Sequence, residues 1–204
     1  MDSNLSIQIR LAVPEDAERM LAIYAPYVEN TGVSFEDHPP ESRSFRTRIE
    51  QMMEKLPWLV AEVDGKVVGY AYAAPHRVRA AYSWSTEFSV YIGSQYRHQG
   101  VGALLYQRLV TLVQRQGYRN VYALITLPNQ AAVELHRKLG FTELEVRHHA
   151  GYKLGRWYDV LWMELDLFEG EESEDRIPLP LTLPKLIATG EIEELMNSGS
   201  TAEQ

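Results

Sequence analysis

Residues 95–109 read QYRHQGVGALLYQRL, and the reading of this stretch decides the fold. Ahead of it lies a strand-like run, Phe88-Ser89-Val90-Tyr91-Ile92. Behind it, Val101, Leu104, Leu105, Leu109, Leu112 and Val113 recur at helical spacing until Gly117 ends the pattern. Gly100 and Gly102 therefore stand in a strand-to-helix turn. Without Cβ atoms they let the backbone approach a ligand closely. The first N–H groups of the helix have no intrahelical partner and favour an anion. Two familiar phosphate turns are excluded: the P-loop string G-x-x-x-x-G-K-[ST] occurs nowhere, and the third glycine of a G-x-G-x-x-G turn is replaced by Leu105. What remains, Arg97-His98-Gln99-Gly100-Val101-Gly102, suits a pyrophosphate with Arg97 adding charge. Taken alone, the same six residues also fit a plain strand-to-helix turn.

Outward from this turn the elements alternate. Ile7–Ala12 reads as a strand, and Pro14 opens a helix over PEDAERMLAIYAPYV with its acidic residues in the first turn. Phe45, Ile49, Met52, Met53 and Leu56 stripe a second helix over 41–56. WLVAEV (58–63), Asp64-Gly65 and KVVGYAYAA (66–74) form a hairpin signal. HRVRAAY (76–82) has no clear period; WSTEFSVYI (84–92) and VYALITL (121–127) read as strands. NQAAVELHRKLG is a short helix capped by Gly140, and FTELEVRH and RWYDVLWMEL are two closing strands. The order β-α-α-β-β-β-α-β-α-β-β specifies an α/β domain with a mixed sheet.

Composition limits the function classes. The 204 residues, 45% hydrophobic and 24% charged, fit one globular domain with a tail. The absence of cysteine removes disulfides, thiolate metal sites and a cysteine nucleophile. No apolar run approaches the ~20 residues of a membrane span, and MDSNLSIQIR lacks a signal-peptide core, so a cytoplasmic location is expected. A net charge of −8 argues against general nucleic-acid binding. The domain is expected over 1–168, followed by a tail over 169–204 made of an acidic run (169–175), IPLPLTLPKLI and TGEIEELMN. The apolar content of the tail, Ile177, Leu179, Leu181, Leu183, Leu186 and Ile187, favours docking on the body.

SVYIGSQYRHQGVGALLYQRL resembles the acyl-CoA-binding motif of the GNAT N-acetyltransferases, and Asn129 before the helix that runs into LGF resembles the family's second pantetheine-gripping element. The resemblance implies the GNAT acyl-CoA N-acyltransferase fold with splayed central strands. It also implies acetyl-CoA as co-substrate. Backbone groups of Val90 and Ile92 would bind pantetheine, residues Arg97, His98, Gln99, Gly100, Val101 and Gly102 would cradle the pyrophosphate, and the N–H of Val90 or Tyr91 would polarise the thioester carbonyl. Over 7–167, RAAYSWSTEFSVYI and GYKLGRWYDV are similar to the subgroup that acetylates phosphinothricin, methionine sulfoximine and methionine sulfone. The acidic insert and the final EIEELMNSGSTAEQ depart from it.

Acetyl transfer to an amine requires a base, a polarised carbonyl, a leaving thiolate and an oriented acceptor. By resemblance Glu87 is the base; read bottom-up it is also an ordinary exposed strand carboxylate. His136 either protonates the leaving thiolate or packs beneath the cofactor. By resemblance to the subgroup Arg79 meets the acceptor carboxylate, a role its planar fork suits, with Arg77 as second option. Phe35, Tyr82 and Trp84 are expected in the pocket wall unless they are core aromatics, and the loop 151–160 is expected to close over it with Lys153 as an extra anion contact. The resemblance implies a homodimer; a metal and a nucleic-acid or membrane partner are not expected. Two alternatives stay open: a peptide, protein or polyamine acceptor, and a non-catalytic acyl-CoA-binding module.

Overall fold

The structure is a computed structural model that describes residues 6–168 and 177–192. In chain order it contains β1 (Gln8–Leu11), α1 (Ala17–Asn30), α2 (Ser42–Met53), β2 (Trp58–Val63), β3 (Lys66–Pro75), β4 (Ser85–Ile92), α3 (Val101–Gln116), β5 (Asn120–Leu127), α4 (Gln130–Lys138), β6 (Thr142–Lys153), β7 (Arg156–Asp166) and α5 (Leu183–Ala188). The strands form one seven-stranded sheet in the order β1-β2-β3-β4-β5-β7-β6. Every neighbouring pair is antiparallel except β4 and β5, which run parallel.

That exception makes the site. Pairing between β4 and β5 covers only Ser85↔Asn120, Thr86↔Val121 and Glu87↔Tyr122. Both strands continue, but β5 from Ala123 onward is hydrogen-bonded only to β7, and β4 from Phe88 onward only to β3. The sheet thus forks after Glu87 and Tyr122. The splayed central strands expected from the family resemblance are present.

Helices cover both faces. One core gathers Met20, Tyr24, Phe45, Ile49, Trp58, Tyr70 and Tyr91 beneath α1 and α2. The other packs Phe88, Leu105, Tyr106, Leu109, Val121, Phe141 and Met163 beneath α3 and α4. The alternation of β4 explains how one strand serves both: Phe88 points to α3, Tyr91 to α1.

Several boundaries differ from the sequence expectation. The helix expected from Pro14 begins with a 3-10 turn, Pro14–Asp16, because the Asp16 carboxylate is taken by the Arg10 guanidinium and the Val13 N–H. The helix expected over 41–56 spans Ser42–Met53, and Leu56 is buried from the loop that follows. The strand expected over 141–148 runs on to Lys153, with register shifts that include one between Arg147 and Gly151. Residues 151–160 are accordingly the tip of a β6–β7 hairpin turning at Leu154-Gly155, both at positive φ, and not a separate loop.

Part of the tail docks. Leu183, Leu186 and Ile192 are buried against the α3 side of the core, and Gln116 donates to the carbonyls of Leu181 and Lys55. Ile177, Leu179, Leu181 and Ile187 remain on the outside. The acidic run 169–175 and residues 193–204 lie outside the described residues.

Candidate functional site

The fork opens into a cleft of about 870 Å³ walled by β4, the turn after it, and the start of α4. This is the size of a small-molecule site. Arg97, Lys138 and Arg156 line it against Glu134, so the cleft carries positive charge in a chain whose net charge is −8. An anionic ligand suits it.

The turn is built for close approach. Gly100 caps α3 at φ 79°, a left-handed conformation that glycine adopts without strain. Val101 and Gly102 then present the first helical N–H groups to the cleft. The Arg97 guanidinium lies 4.8 Å over the ring of Tyr27, which holds it at the cleft wall. His98 also lines the cleft. Gln99 does not: its side-chain amide donates back to the Gln95 carbonyl at 2.8 Å. Asn129 caps α4, with its side-chain oxygen accepting from the Ala132 N–H at 3.3 Å, and stands on the opposite wall.

Strand alternation sorts the backbone of β4. The Gly93 N–H bonds Val68 on β3, whereas the Trp84 carbonyl accepts from Arg119 and Asn120 on the β5 side. Odd-numbered residues of β4 therefore turn their backbone polar groups toward β3, and even-numbered ones toward β5. Past the fork, Val90 directs its N–H and C=O into the gap, while Tyr91 faces Tyr70 on β3. Of the two N–H groups expected to polarise the carbonyl, only that of Val90 is directed to the cleft. The Tyr91 ring is buried among Tyr24, Tyr27 and Tyr70. Ile92 is also directed to the gap, but the Tyr27 hydroxyl donates to its carbonyl at 2.7 Å and accepts from its N–H at 3.2 Å.

Glu87 does not line this cleft. It stands at the fork itself, on the opposite face of β4 from Val90. His76 lies beside it: Nδ1 of His76 is 2.8 Å from Oε1 of Glu87. The His76 side chain is 7% exposed and that of Glu87 31%. The imidazole lies tilted against the Tyr122 ring, with centroids 4.4 Å apart, and meets Tyr82 and Trp162 edge-on. Tyr82 receives the Arg77 guanidinium over its face at 5.6 Å. Arg79 is exposed ahead of the 3-10 turn Ala80–Tyr82, and its guanidinium has no partner among the described residues.

The structure separates the remaining expected residues. Phe35 is 44% exposed and tilts against Tyr158, and its ring occupies the space a Cβ at Gly151 would need. Trp84 turns to the tail instead of the pocket, donating to the Pro178 carbonyl at 2.8 Å. Lys153 is buried and donates to the carbonyls of Val28 and Ser34 at 2.6 Å each, so it braces the hairpin tip against the α1–α2 loop and is spent as an anion contact. His136 lies in the core between Tyr106 and Phe141, donating from Nδ1 to the Ala132 carbonyl at 2.7 Å. Burial holds its imidazole below its ordinary value and hence neutral. It is not among the residues lining the cleft, and this placement corresponds to the packing alternative.

Comparison with known proteins fixes the family. The acetyltransferase (GNAT) domain family matches residues 9–162. The chain belongs to the GNAT acetyltransferases. A phosphinothricin N-acetyltransferase of Streptomyces viridochromogenes is 38% identical over 160 residues, covering 78% of this chain and 87% of that protein. An L-methionine sulfoximine/L-methionine sulfone acetyltransferase of Pseudomonas aeruginosa is 34% identical over 168 residues, covering 80% and 96%. The solved structure of a GNAT superfamily phosphinothricin acetyltransferase from Sinorhizobium meliloti in complex with acetyl-CoA superposes with a TM-score of 0.81 at 31% identity, covering 86% of this chain and 96% of that one. This GNAT chain keeps the family's element order, and its forked sheet is the feature that the motif around Gly100 announces.

Sequence reasoning missed His76, Tyr27, Tyr122 and Trp162. His76 sits in the aperiodic stretch 76–82, where no pattern assigns a face. Tyr27 and Tyr122 read as ordinary amphipathic aromatics of a helix and a strand, and Trp162 as part of a closing strand.

Proposed function

We propose that this acetyltransferase moves the acetyl group of acetyl-CoA to the α-amine of a small amino-acid-like acceptor of the phosphinothricin, methionine sulfoximine or methionine sulfone type. The observation that carries the assignment is the fork: a cation-lined cleft on one side of β4 and a partly exposed carboxylate, Glu87, on the other, meeting where the strands part. The relatives named above act on such acceptors, and the donor fits the residues present.

On the donor side, the α3 N-terminus and Arg97 hold the pyrophosphate, Val90 bonds the pantetheine through the gap, and Asn129 stands on the facing wall. The Val90 N–H polarises the thioester carbonyl. On the acceptor side, Glu87 takes the proton that the amine must lose as its nitrogen attacks, and the thiolate departs along the cleft. Arg79 meets the acceptor carboxylate, with Phe35 and Tyr82 at the rim. His136, enclosed in the core with its ring N–H given to the Ala132 carbonyl, shapes the α4 wall and transfers no proton to the thiolate. No metal takes part, so a chelator leaves the rate unchanged.

The catalytic domain occupies 1–168, and within the tail Leu183, Leu186 and Ile192 pack on it. The chain works in the cytoplasm as a homodimer, as its family resemblance implies. Leu144, Val146, Tyr152, Leu154 and Trp157 are exposed along β6 and the hairpin tip, which supports a second copy as partner. Nucleic acid and membranes are not partners; among the described residues no helix is long and apolar enough to cross a membrane. Acetylation of such analogues is a detoxification, and with phosphinothricin as acceptor it confers herbicide resistance.

A thiol-release assay tests the assignment. Free thiol should appear from acetyl-CoA with phosphinothricin, methionine sulfoximine or methionine sulfone. Release with peptides or polyamines only would reassign the acceptor. Acetyl-CoA binding without release from any amine would make the chain a binding module.

A further inference from the structure

We propose that His76 is a positioning residue that fixes Glu87 for proton acceptance, an assignment that rests on Glu87 as the base proposed above. His76 follows directly on the last residue of β3 and reaches across the fork. Its Nδ1 is 2.8 Å from Oε1 of Glu87 on β4, and its ring lies tilted against Tyr122 on β5, with centroids 4.4 Å apart. Glu87 and Tyr122 are the last registered pair before the strands part. One side chain therefore ties both lips of the fork together where the chemistry takes place.

The hydrogen-bond pattern selects the tautomer. A carboxylate only accepts, so Nδ1 must carry the hydrogen. Nε2 is left as the acceptor, and the Arg77 Nε–H approaches it at 3.4 Å. The neutral Nδ1–H form satisfies both neighbours. With Oε1 held, Glu87 keeps Oε2 for the amine proton, and its side chain loses rotamer freedom before the acceptor arrives. The imidazole does not depend on Glu87 for its own place, because Tyr122, Tyr82 and Trp162 enclose it on the remaining sides. The titratable and charged groups facing it are Glu87 from β4, Arg77 from its own loop, Tyr82 from the 3-10 turn and Tyr122 from β5; Arg147 of β6 lies one ring further out, over Trp162.

The test uses full-length His76→Phe, which keeps an aromatic ring and removes the donor, and His76→Gln, which restores a donor. The acceptor is whichever amine gives thiol release in the wild type. His76→Phe should lower kcat roughly ten- to a hundredfold, the range of a lost hydrogen bond to a charged group. The loss should fall on kcat, with acetyl-CoA affinity staying within about twofold on the same scale. His76→Gln should recover part of the rate. In a Glu87→Gln background, His76→Phe should change the rate by less than about twofold, since it acts through that carboxylate. An unchanged kcat in His76→Phe, or an undiminished loss in the Glu87→Gln background, overturns the positioning role and leaves Glu87 as base. A near-normal rate in Glu87→Gln alone overturns the base itself and the role of His76 with it.

Discussion

The two sides of the fork each hold a histidine with a largely covered side chain, and the contrast lies in what each ring is turned toward. On the α4 side, His136 is clasped by Tyr106 and Phe141 and spends its one ring N–H on the Ala132 carbonyl of its own helix. Its Nε2 has no partner, and burial keeps it neutral. It is a core residue. At the other side, the His76 side chain is also largely covered but faces a partly exposed carboxylate. The first histidine lies beside a recognisable motif and the second lies in an aperiodic loop. Proximity in sequence to a motif drew attention to the first and not to the second. What separates them is whether the ring's polar edge is turned to its own backbone or to a partly exposed carboxylate.

The comparison can be broken most sharply at Glu87. Glu87→Ala should lower kcat by about 10²- to 10⁴-fold, with acetyl-CoA binding retained and part of the rate restored by added formate. A rate within a few-fold of wild type would move proton acceptance elsewhere. On the donor side, Gly100→Ala places a side chain at φ 79°, a cost of about 1–2 kcal/mol at a left-handed position. Acetyl-CoA should bind roughly tenfold more weakly, whereas the acceptor KM should hold; calorimetric titration with CoA separates the two. Arg79→Ala should raise the acceptor KM by about tenfold, as expected for one lost charged hydrogen-bonding group, and leave CoA affinity unchanged. An unaltered KM would shift the carboxylate contact to Arg77.

The smallest catalytic effect belongs to His136. His136→Leu should leave kcat within about twofold and show itself in stability instead. Because burial lowers its pKa from 6.5, the folded protein binds that proton less readily than the unfolded chain. Its contribution is complete above 6.5 and is lost as pH falls from 6.5 toward the folded value. Urea unfolding at successive pH values should therefore show a shallower acid decline in His136→Leu than in wild type. Identical slopes would mean that His136 is not the group whose neutrality the fold enforces.

Much of the fold was legible because its elements are periodic. The Asp64-Gly65 hairpin, the α3 stripe ended by Gly117 and the strand run ending at Ile92 all follow from spacing and turn chemistry. The fork was legible only through resemblance, since no local pattern in TEFSVYI says where its pairing to the next strand stops. That stop depends on which strand β5 prefers beyond Tyr122, and β7 wins. The extension of β6 was hidden by the register shift across His148, His149 and Ala150, where alternation fails. Lys153 looked like an anion contact because lysines seldom go inside. Two backbone carbonyls, of Val28 and Ser34, draw it in. Residues near the glycine turn could be named from the motif, but which of their backbone groups point into the gap depends on strand parity. Parity separates Val90 from Tyr91 only when the pairing of β4 is known.

The central claim is that the amine proton leaves on the β4 face of the fork, through Glu87, and not on the α4 side. Single-turnover acetyl transfer from prebound acetyl-CoA, measured side by side in wild type, Glu87→Gln and His136→Leu, tests it most directly. The account predicts that Glu87→Gln slows the chemical step at least about a hundredfold while His136→Leu matches wild type. A fast Glu87→Gln enzyme, or a His136→Leu enzyme slowed to the same degree, would contradict it.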